Sequence, residues 1–148
     1  FYVIFVRLAM SAVEARVRVI YGDTDQMGVV YYANYFRYFE LARSELFRSK
    51  GGSYRAMEKE GRFLPVVDAS CQYKASARYD DLLKVRVEVT EVRRASLEFG
   101  YQVRRDGEDT VLCTGRTVHA CIGTDGKPTA LPEAVKRLLT PKDQNHGP

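Results

Sequence analysis

Apolar and polar positions alternate between residues 13 and 21. Val13, Ala15, Val17, Val19 and Tyr21 share one face, and Glu14, Arg16 and Arg18 take the other, which predicts a half-buried β-strand. Gly22 to Gly28 breaks the pattern with two Asp and two Gly. From about Tyr32 to Lys50 the period lengthens to that of a helix. Tyr35, Tyr38, Phe39, Ala42 and Leu46 mark one face, and Phe36 and Phe47 widen it, so this helix is buried on most sides. Gly51-Gly52 supplies its stop. Ser53 is placed to cap a short second helix through Glu60, ended by Gly61.

The chain then returns to strands. Val66 to Tyr73 is one, and Asp80-Asp81 closes the connection after it. Leu83, Val85, Val87 and Val89 alternate with Lys84, Arg86, Glu88 and Thr90; Leu97, Phe99, Tyr101 and Val103 alternate with Glu98, Gln102 and Arg104. Arg105-Asp106-Gly107-Glu108 is a hairpin turn, because Asp-Gly tolerates the positive φ such turns need. Val111 to Ile122 is the last long strand, and Pro132 opens a short helix through Leu139. The order is strand, long buried helix, then about four consecutive antiparallel strands. One curved sheet wrapped around one helix satisfies it with a single core, an α+β fold. Neither an internal repeat nor a linker interrupts the chain. A single domain is expected over residues 10–140, with 141–148 a tail. Met10 reads as the natural start and 1–9 as an upstream leader, too short to span a bilayer and lacking the basic flank of a secretory signal.

Composition narrows this picture little. With 148 residues, 45% of them hydrophobic and 28% charged, the chain suits one soluble globular domain. A net charge of +4 invites an anionic partner: nucleic acid, an acidic membrane surface or a phosphate-bearing cofactor. The cations are scattered, with short pairs such as Arg93-Arg94 and Arg104-Arg105, and form no tail. Cys71, Cys113 and Cys121 lie in strand-like stretches without C-x-x-C spacing, and their odd number closes no disulfide framework. They read as small buried apolar residues in a reducing compartment. With His119 and His146 the only histidines, a zinc site is not expected.

Chemistry concentrates in Tyr21-Gly22-Asp23-Thr24-Asp25-Gln26-Met27-Gly28-Val29-Val30-Tyr31-Tyr32-Ala33-Asn34-Tyr35. Two carboxylates stand between a strand and the mouth of a buried helix. A helix start offers unpaired backbone N–H groups and the positive end of its dipole, a setting for a developing oxyanion. Gly28 permits a positive φ or close backbone approach. A carboxylate beside oxyanion donors suits attack on an acyl carbonyl, by activated water or by the carboxylate itself. Two plainer readings stand beside this one. Asp-Thr-Asp before Gly is also a good turn. The Asp23, Asp25, Gly28 spacing imitates the start of a calcium loop, but Met27 replaces an oxygen ligand and Asn34 stands where the bidentate Glu belongs. Most of the Tyr- and Phe-rich helix is core, with Tyr31 or Tyr32 the residue to face a ligand.

The motif Tyr-Gly-Asp-Thr-Asp-x-x-Gly-Val-Val-Tyr-Tyr-Ala-Asn-Tyr, followed by Glu40-Leu41-Ala42-Arg43, resembles the 4-hydroxybenzoyl-CoA thioesterase-like branch of hotdog proteins. Within it the chain is most similar to the bacterial acyl-CoA thioesterases associated with the Tol-Pal system. The resemblance runs from about Val13 to Pro132 and includes Thr117-Val118-His119-Ala120-Cys121-Ile122. It implies a hotdog fold, with about five strands around one long helix. It implies hydrolysis of an acyl-CoA without metal or organic cofactor, with Asp25 as catalytic carboxylate and the Tyr32 backbone N–H polarising the thioester carbonyl. Gly28, Val30 and Tyr31 would line the substrate. Arg93 and Arg94 are the expected contacts to coenzyme A phosphates. The resemblance further implies a homodimer or homotetramer, joined edge to edge with active sites between subunits, and a cytoplasmic protein without an integral membrane segment or nucleic-acid partner. Members with His in the turn after the catalytic Asp differ from this chain, which has Gln26-Met27-Gly28, so no step here uses that His.

Around this site, Asp23 is expected to brace the turn or cap the helix, and Glu40 to pair with Arg37 or Arg43. His119 is expected to be a satisfied core residue. Two other functions compete with hydrolysis. One is a module that binds acyl-CoA or acyl-carrier protein without turnover; the absence of a helix-turn-helix segment and the presence of Asp25 weigh against it. The other is a dehydratase acting on 3-hydroxyacyl thioesters, which would want a His in the strand-to-helix turn.

Overall fold

The computed structural model describes residues 12–140; the expectations for residues 1–9, Met10 and 141–148 fall outside them. Five strands form one antiparallel sheet: β1 (Ala12–Arg18), β2 (Val66–Tyr73), β3 (Leu82–Val92), β4 (Ser96–Arg105) and β5 (Val111–Ala120). Their order across the sheet is β1-β3-β4-β5-β2. The helices are α1 (Asn34–Ser49), α2 (Tyr54–Lys59) and α3 (Glu133–Leu139). This is the expected hotdog arrangement, a curled sheet around one long helix.

α1 contains no Gly, Pro or β-branched residue, so nothing in its interior opposes a helix. Tyr35, Tyr38, Phe39, Ala42, Leu46 and Phe47 are buried. Phe39 stacks on Tyr101 of β4 with centroids 4.3 Å apart. Helix and sheet approach so closely at Gly115 of β5 that a Cβ there would lie 2.3 Å from the Phe39 ring. Glycine at this position therefore permits the wrap. The helix stops as expected: Gly51 adopts φ 82°, its N–H bonds Arg48 O, and Gly52 N–H bonds Phe47 O. Ser53 Oγ accepts from Ala56 N–H at the start of α2.

Strands β3 and β4 bury alternate residues as the pattern predicts. Two expectations change. The strand expected to reach Tyr21 ends at Arg18, and Tyr21–Asp23 forms a single 3-10 turn that carries the chain off the sheet. The strands after the helix are not one simple meander. β3, β4 and β5 are consecutive, whereas β2 crosses to pair with β5 and β1 pairs with β3. The helix joins β1 to β2, and placing those two at opposite edges lets the sheet curl around it. β2 is consequently an edge strand, with Val66, Val67 and Tyr73 all exposed.

The cysteines are free: Cys113 and Cys121 are buried, and the half-buried Cys71 meets Cys113 with 2.8 Å between sulfurs. Burial pushes the Cys113 thiol well above its ordinary value. No helix among the described residues is long and apolar enough to cross a membrane.

Candidate active site

Residues 24–33 form a tied loop between the 3-10 turn and α1. Thr24 and Val30 face each other in an antiparallel bridge. Within it Asp25 N–H donates to Val29 O (3.0 Å) and Gly28 N–H to Asp25 O (2.9 Å), with Gly28 at φ 76°. A side chain would strain that backbone, which is the reason for glycine. Val30 N–H bonds Ala77 O at 2.8 Å, stitching the loop to the segment after β2. Asp25 is half-buried, and its Oδ1 accepts from Met27 N–H at 2.9 Å. Among the described residues no protein donor reaches Oδ2, so one carboxylate oxygen is held and the other is available.

Asp23 has a different environment. It is 5% exposed, and its carboxylate accepts from Tyr38 Oη at 2.9 Å and from Ile20 N–H at 3.3 Å. Arg37 lies 3.6 Å away. The Asp23 carbonyl oxygen accepts from Tyr31 N–H and from Asn34 Nδ2, each at 2.9 Å. Asp23 thus braces the turn, as expected. Burial first, and Asp23 next, push the Tyr38 hydroxyl well above its ordinary value, so Tyr38 stays a proton donor to this carboxylate.

At the helix mouth Asn34 N–H bonds Tyr31 O (2.9 Å), and Tyr35 N–H reaches Tyr32 O at 3.4 Å. Ala33 occupies the cap position and supplies no side-chain acceptor. The N–H groups of Tyr32 and Ala33 have no acceptor among the described residues. A cleft of about 260 Å³ opens here, lined by Asp25, Val30, Tyr32, Tyr35, Tyr73 and Lys74 among others. Carboxylate and helix mouth therefore share one cavity.

The remaining expected residues distribute unevenly. Val30 is buried in the cleft wall, and Gly28 sits at the rim between Met27 and Val29, which both line it. Tyr31 is 44% exposed, and its ring lies tilted against that of Tyr32 with centroids 4.7 Å apart, outside the cleft walls. Arg93 and Arg94 follow β3 at its far end, whereas Asp25 lies beside the segment leading into its start. With Lys136 they line a separate groove of about 370 Å³, and both Arg93 Nε and Nη2 bond Glu91 at 2.9 Å. One chain does not bring them to Asp25. Asn34, Tyr73 and Lys74 escaped the sequence reading. Asn34 had a legible signal as a polar residue at a helix start; Tyr73 and Lys74 enter only through the crossover that brings the end of β2 against the helix mouth.

Glu40 departs from expectation: it is exposed and in no ion pair among the described residues, because Arg37 turns to Asp23 and Arg43 donates to Tyr101 Oη. His119 is a satisfied core residue, bonded through Nδ1 to Leu64 O and through Nε2 to Thr117 Oγ1.

Comparison with known proteins finds relatives over most of the chain. Residues 19–139 match the model of the thioesterase-like superfamily. The chain is 38% identical over 124 residues to a putative esterase of Aquifex aeolicus, covering 84% of this chain and 94% of that protein. It is 37% identical over 120 residues to the acyl-CoA thioester hydrolase YbgC of Escherichia coli, covering 80% and 89%. Among solved structures, a DHNA-CoA thioesterase from Staphylococcus aureus superposes with a TM-score of 0.82 at 30% identity, over 93% of this chain and 97% of that one.

Proposed function

The chain belongs to the thioesterase-like superfamily, and from that premise we propose that it hydrolyses an acyl-CoA to a carboxylic acid and coenzyme A. One observation carries the reading. The half-buried Asp25 carboxylate and the mouth of α1, with its unpartnered Tyr32 and Ala33 N–H groups, border the same cleft.

Two routes use these groups. In the first, Asp25 takes a proton from water as the water oxygen bonds the acyl carbon. The Tyr32 N–H stabilises the carbonyl oxygen as it becomes an oxyanion. Collapse breaks the C–S bond, and the Asp25 proton passes to the departing thiolate. In the second, Asp25 itself attacks and expels the thiolate, and water then opens the resulting anhydride. Both routes end in the same products.

We assign Gly28, Val30 and Tyr31 to substrate binding, and Arg93 and Arg94 to coenzyme A phosphates reached from a neighbouring subunit. Edge strand β2, unpaired on its outer side among the described residues, is the edge through which two copies join. A dimer or tetramer with sites between subunits follows from this pairing. The three free cysteines suit a reducing, cytoplasmic setting.

The test offers a panel of acyl-CoAs and follows released thiol with a chromogenic disulfide. Turnover well above background, lowered at least ~100-fold by Asp25→Asn, is the expected result. An equally active variant would remove Asp25 from the chemistry. Binding without thiol release would favour a non-catalytic acyl-CoA module.

A further inference from the structure

Tyr73 ends β2, and its side chain leaves the sheet to meet the helix mouth. Its hydroxyl donates to Tyr32 O at 3.0 Å. Its ring stands edge-on to Tyr35 (5.4 Å) and to Tyr32 (6.2 Å). Opposite it in the ladder is Cys113 of β5. The backbone just beyond is held independently, since Lys74 N–H and Ala75 N–H both bond Leu112 O.

The oxygen it holds is significant. A peptide unit is planar, so a bond fixing a carbonyl also fixes the N–H of the same unit on the opposite side. Tyr32 O shares its unit with the Ala33 N–H, and Tyr31 O shares its unit with the Tyr32 N–H. Tyr31 O is pinned by Asn34 N–H at 2.9 Å. The intrahelical donor to Tyr32 O is Tyr35 N–H at 3.4 Å, a long bond. The Tyr73 hydroxyl is the shorter of the two contacts there and the one from outside the helix. With no side-chain cap at Ala33, an external tether replaces the local fixing that a capping residue gives.

On the thioesterase reading above, we propose that Tyr73 is a positioning residue for thioester hydrolysis. Its hydroxyl locks the Tyr32–Ala33 peptide unit, so that the Ala33 N–H holds the orientation the oxyanion needs beside the Tyr32 N–H. Accepting this bond at Tyr32 O also polarises the unit and strengthens the Ala33 N–H as a donor. The tether runs from an edge strand, so the site is set from outside the loop that carries Asp25.

The experiment compares wild type, Tyr73→Phe and Asp25→Asn. Phenylalanine keeps both ring contacts and deletes only the hydroxyl. Tyr73→Phe is expected to lower kcat roughly 10-fold with KM changed less than about twofold, because an oriented donor acts mainly in the transition state. The kcat pH profile should keep its shape. In parallel, the Ala33 amide resonance should shift in the ¹H–¹⁵N spectrum of Tyr73→Phe and stay in place in Asp25→Asn. Unchanged kcat, a loss confined to KM, or an unmoved Ala33 resonance would each overturn the inference. If Asp25→Asn abolishes turnover while Tyr73→Phe behaves as wild type, only the role of Tyr73 fails. If the wild type hydrolyses no acyl-CoA, or Asp25→Asn stays fully active, the underlying reading fails, and the tether with it as a catalytic device.

Discussion

Acid should unfold this protein through His119 earlier than through its carboxylates. The ring is 1% exposed. Nδ1–H donates to Leu64 O at 3.0 Å, so Nε2 is left to accept from the Thr117 hydroxyl at 2.9 Å. Thr117 Oγ1 then accepts from Tyr101 Oη at 2.6 Å, and Arg43 donates to Tyr101 in turn. Every hydrogen in this chain points the same way, and a proton on Nε2 would oppose it. Burial, the largest cause, brings the ring from an ordinary 6.5 down to about 4. A group depressed on folding stabilises fully above its unfolded value and loses that contribution as pH falls toward its folded one. One proton over this interval is worth about 1.4 kcal/mol per pH unit, so roughly 2.5 kcal/mol should vanish between about pH 7.5 and about pH 4.5. That is a large part of a marginal total of ~5–15 kcal/mol. Urea unfolding across this range is the assay, with His119→Gln as reference. The variant should be less stable at neutral pH and lose most of the slope. A His119 resonance titrating near 6.5, or an identical slope in the variant, would refute the reasoning.

Other positions give independent checks. Gly115→Ala should cost about 1–3 kcal/mol in chemical denaturation, since its methyl group must displace the Phe39 ring from 2.3 Å. Tyr38→Phe deprives the buried Asp23 carboxylate of a side-chain hydroxyl donor, and should cost ~1–3 kcal/mol while loosening the loop that carries Asp25. Thermal unfolding and turnover measured together will show both losses. Asp25→Asn, by contrast, should remove turnover with little change in unfolding midpoint, because among the described residues its carboxylate accepts one exposed hydrogen bond, from Met27 N–H.

The long helix, the alternating β3 and β4, and the Gly107 turn were legible because local periodicity and turn chemistry decide them. The crossover of β2 was not, because nothing local in Val66 to Tyr73 says which strand it pairs with. Asp25 and Tyr32, which line one cleft, could be singled out as candidates because they fall within one short segment between strand and helix. Tyr73 comes from 41 residues further along than the carbonyl it holds, and only the topology joins them. Arg93 and Arg94 illustrate the converse: two adjacent cations attract notice in a sequence, yet they sit in the hairpin at the far end of β3, away from the carboxylate within one chain. Glu40 attracted a partner on paper because its neighbours are aromatic, but the helix turns that position outward.

Ala33 at the head of α1 has a consequence for how this molecule tolerates change. Its backbone is already helical, at φ −69° and ψ −21°, so a serine or aspartate placed there would not reach the first-turn amides as a cap in extended backbone does. The first turn is held instead from elsewhere in the fold, by the Tyr73 hydroxyl on Tyr32 O. A change at the end of β2 is therefore felt at the head of the longest helix among the described residues, 41 positions away in sequence.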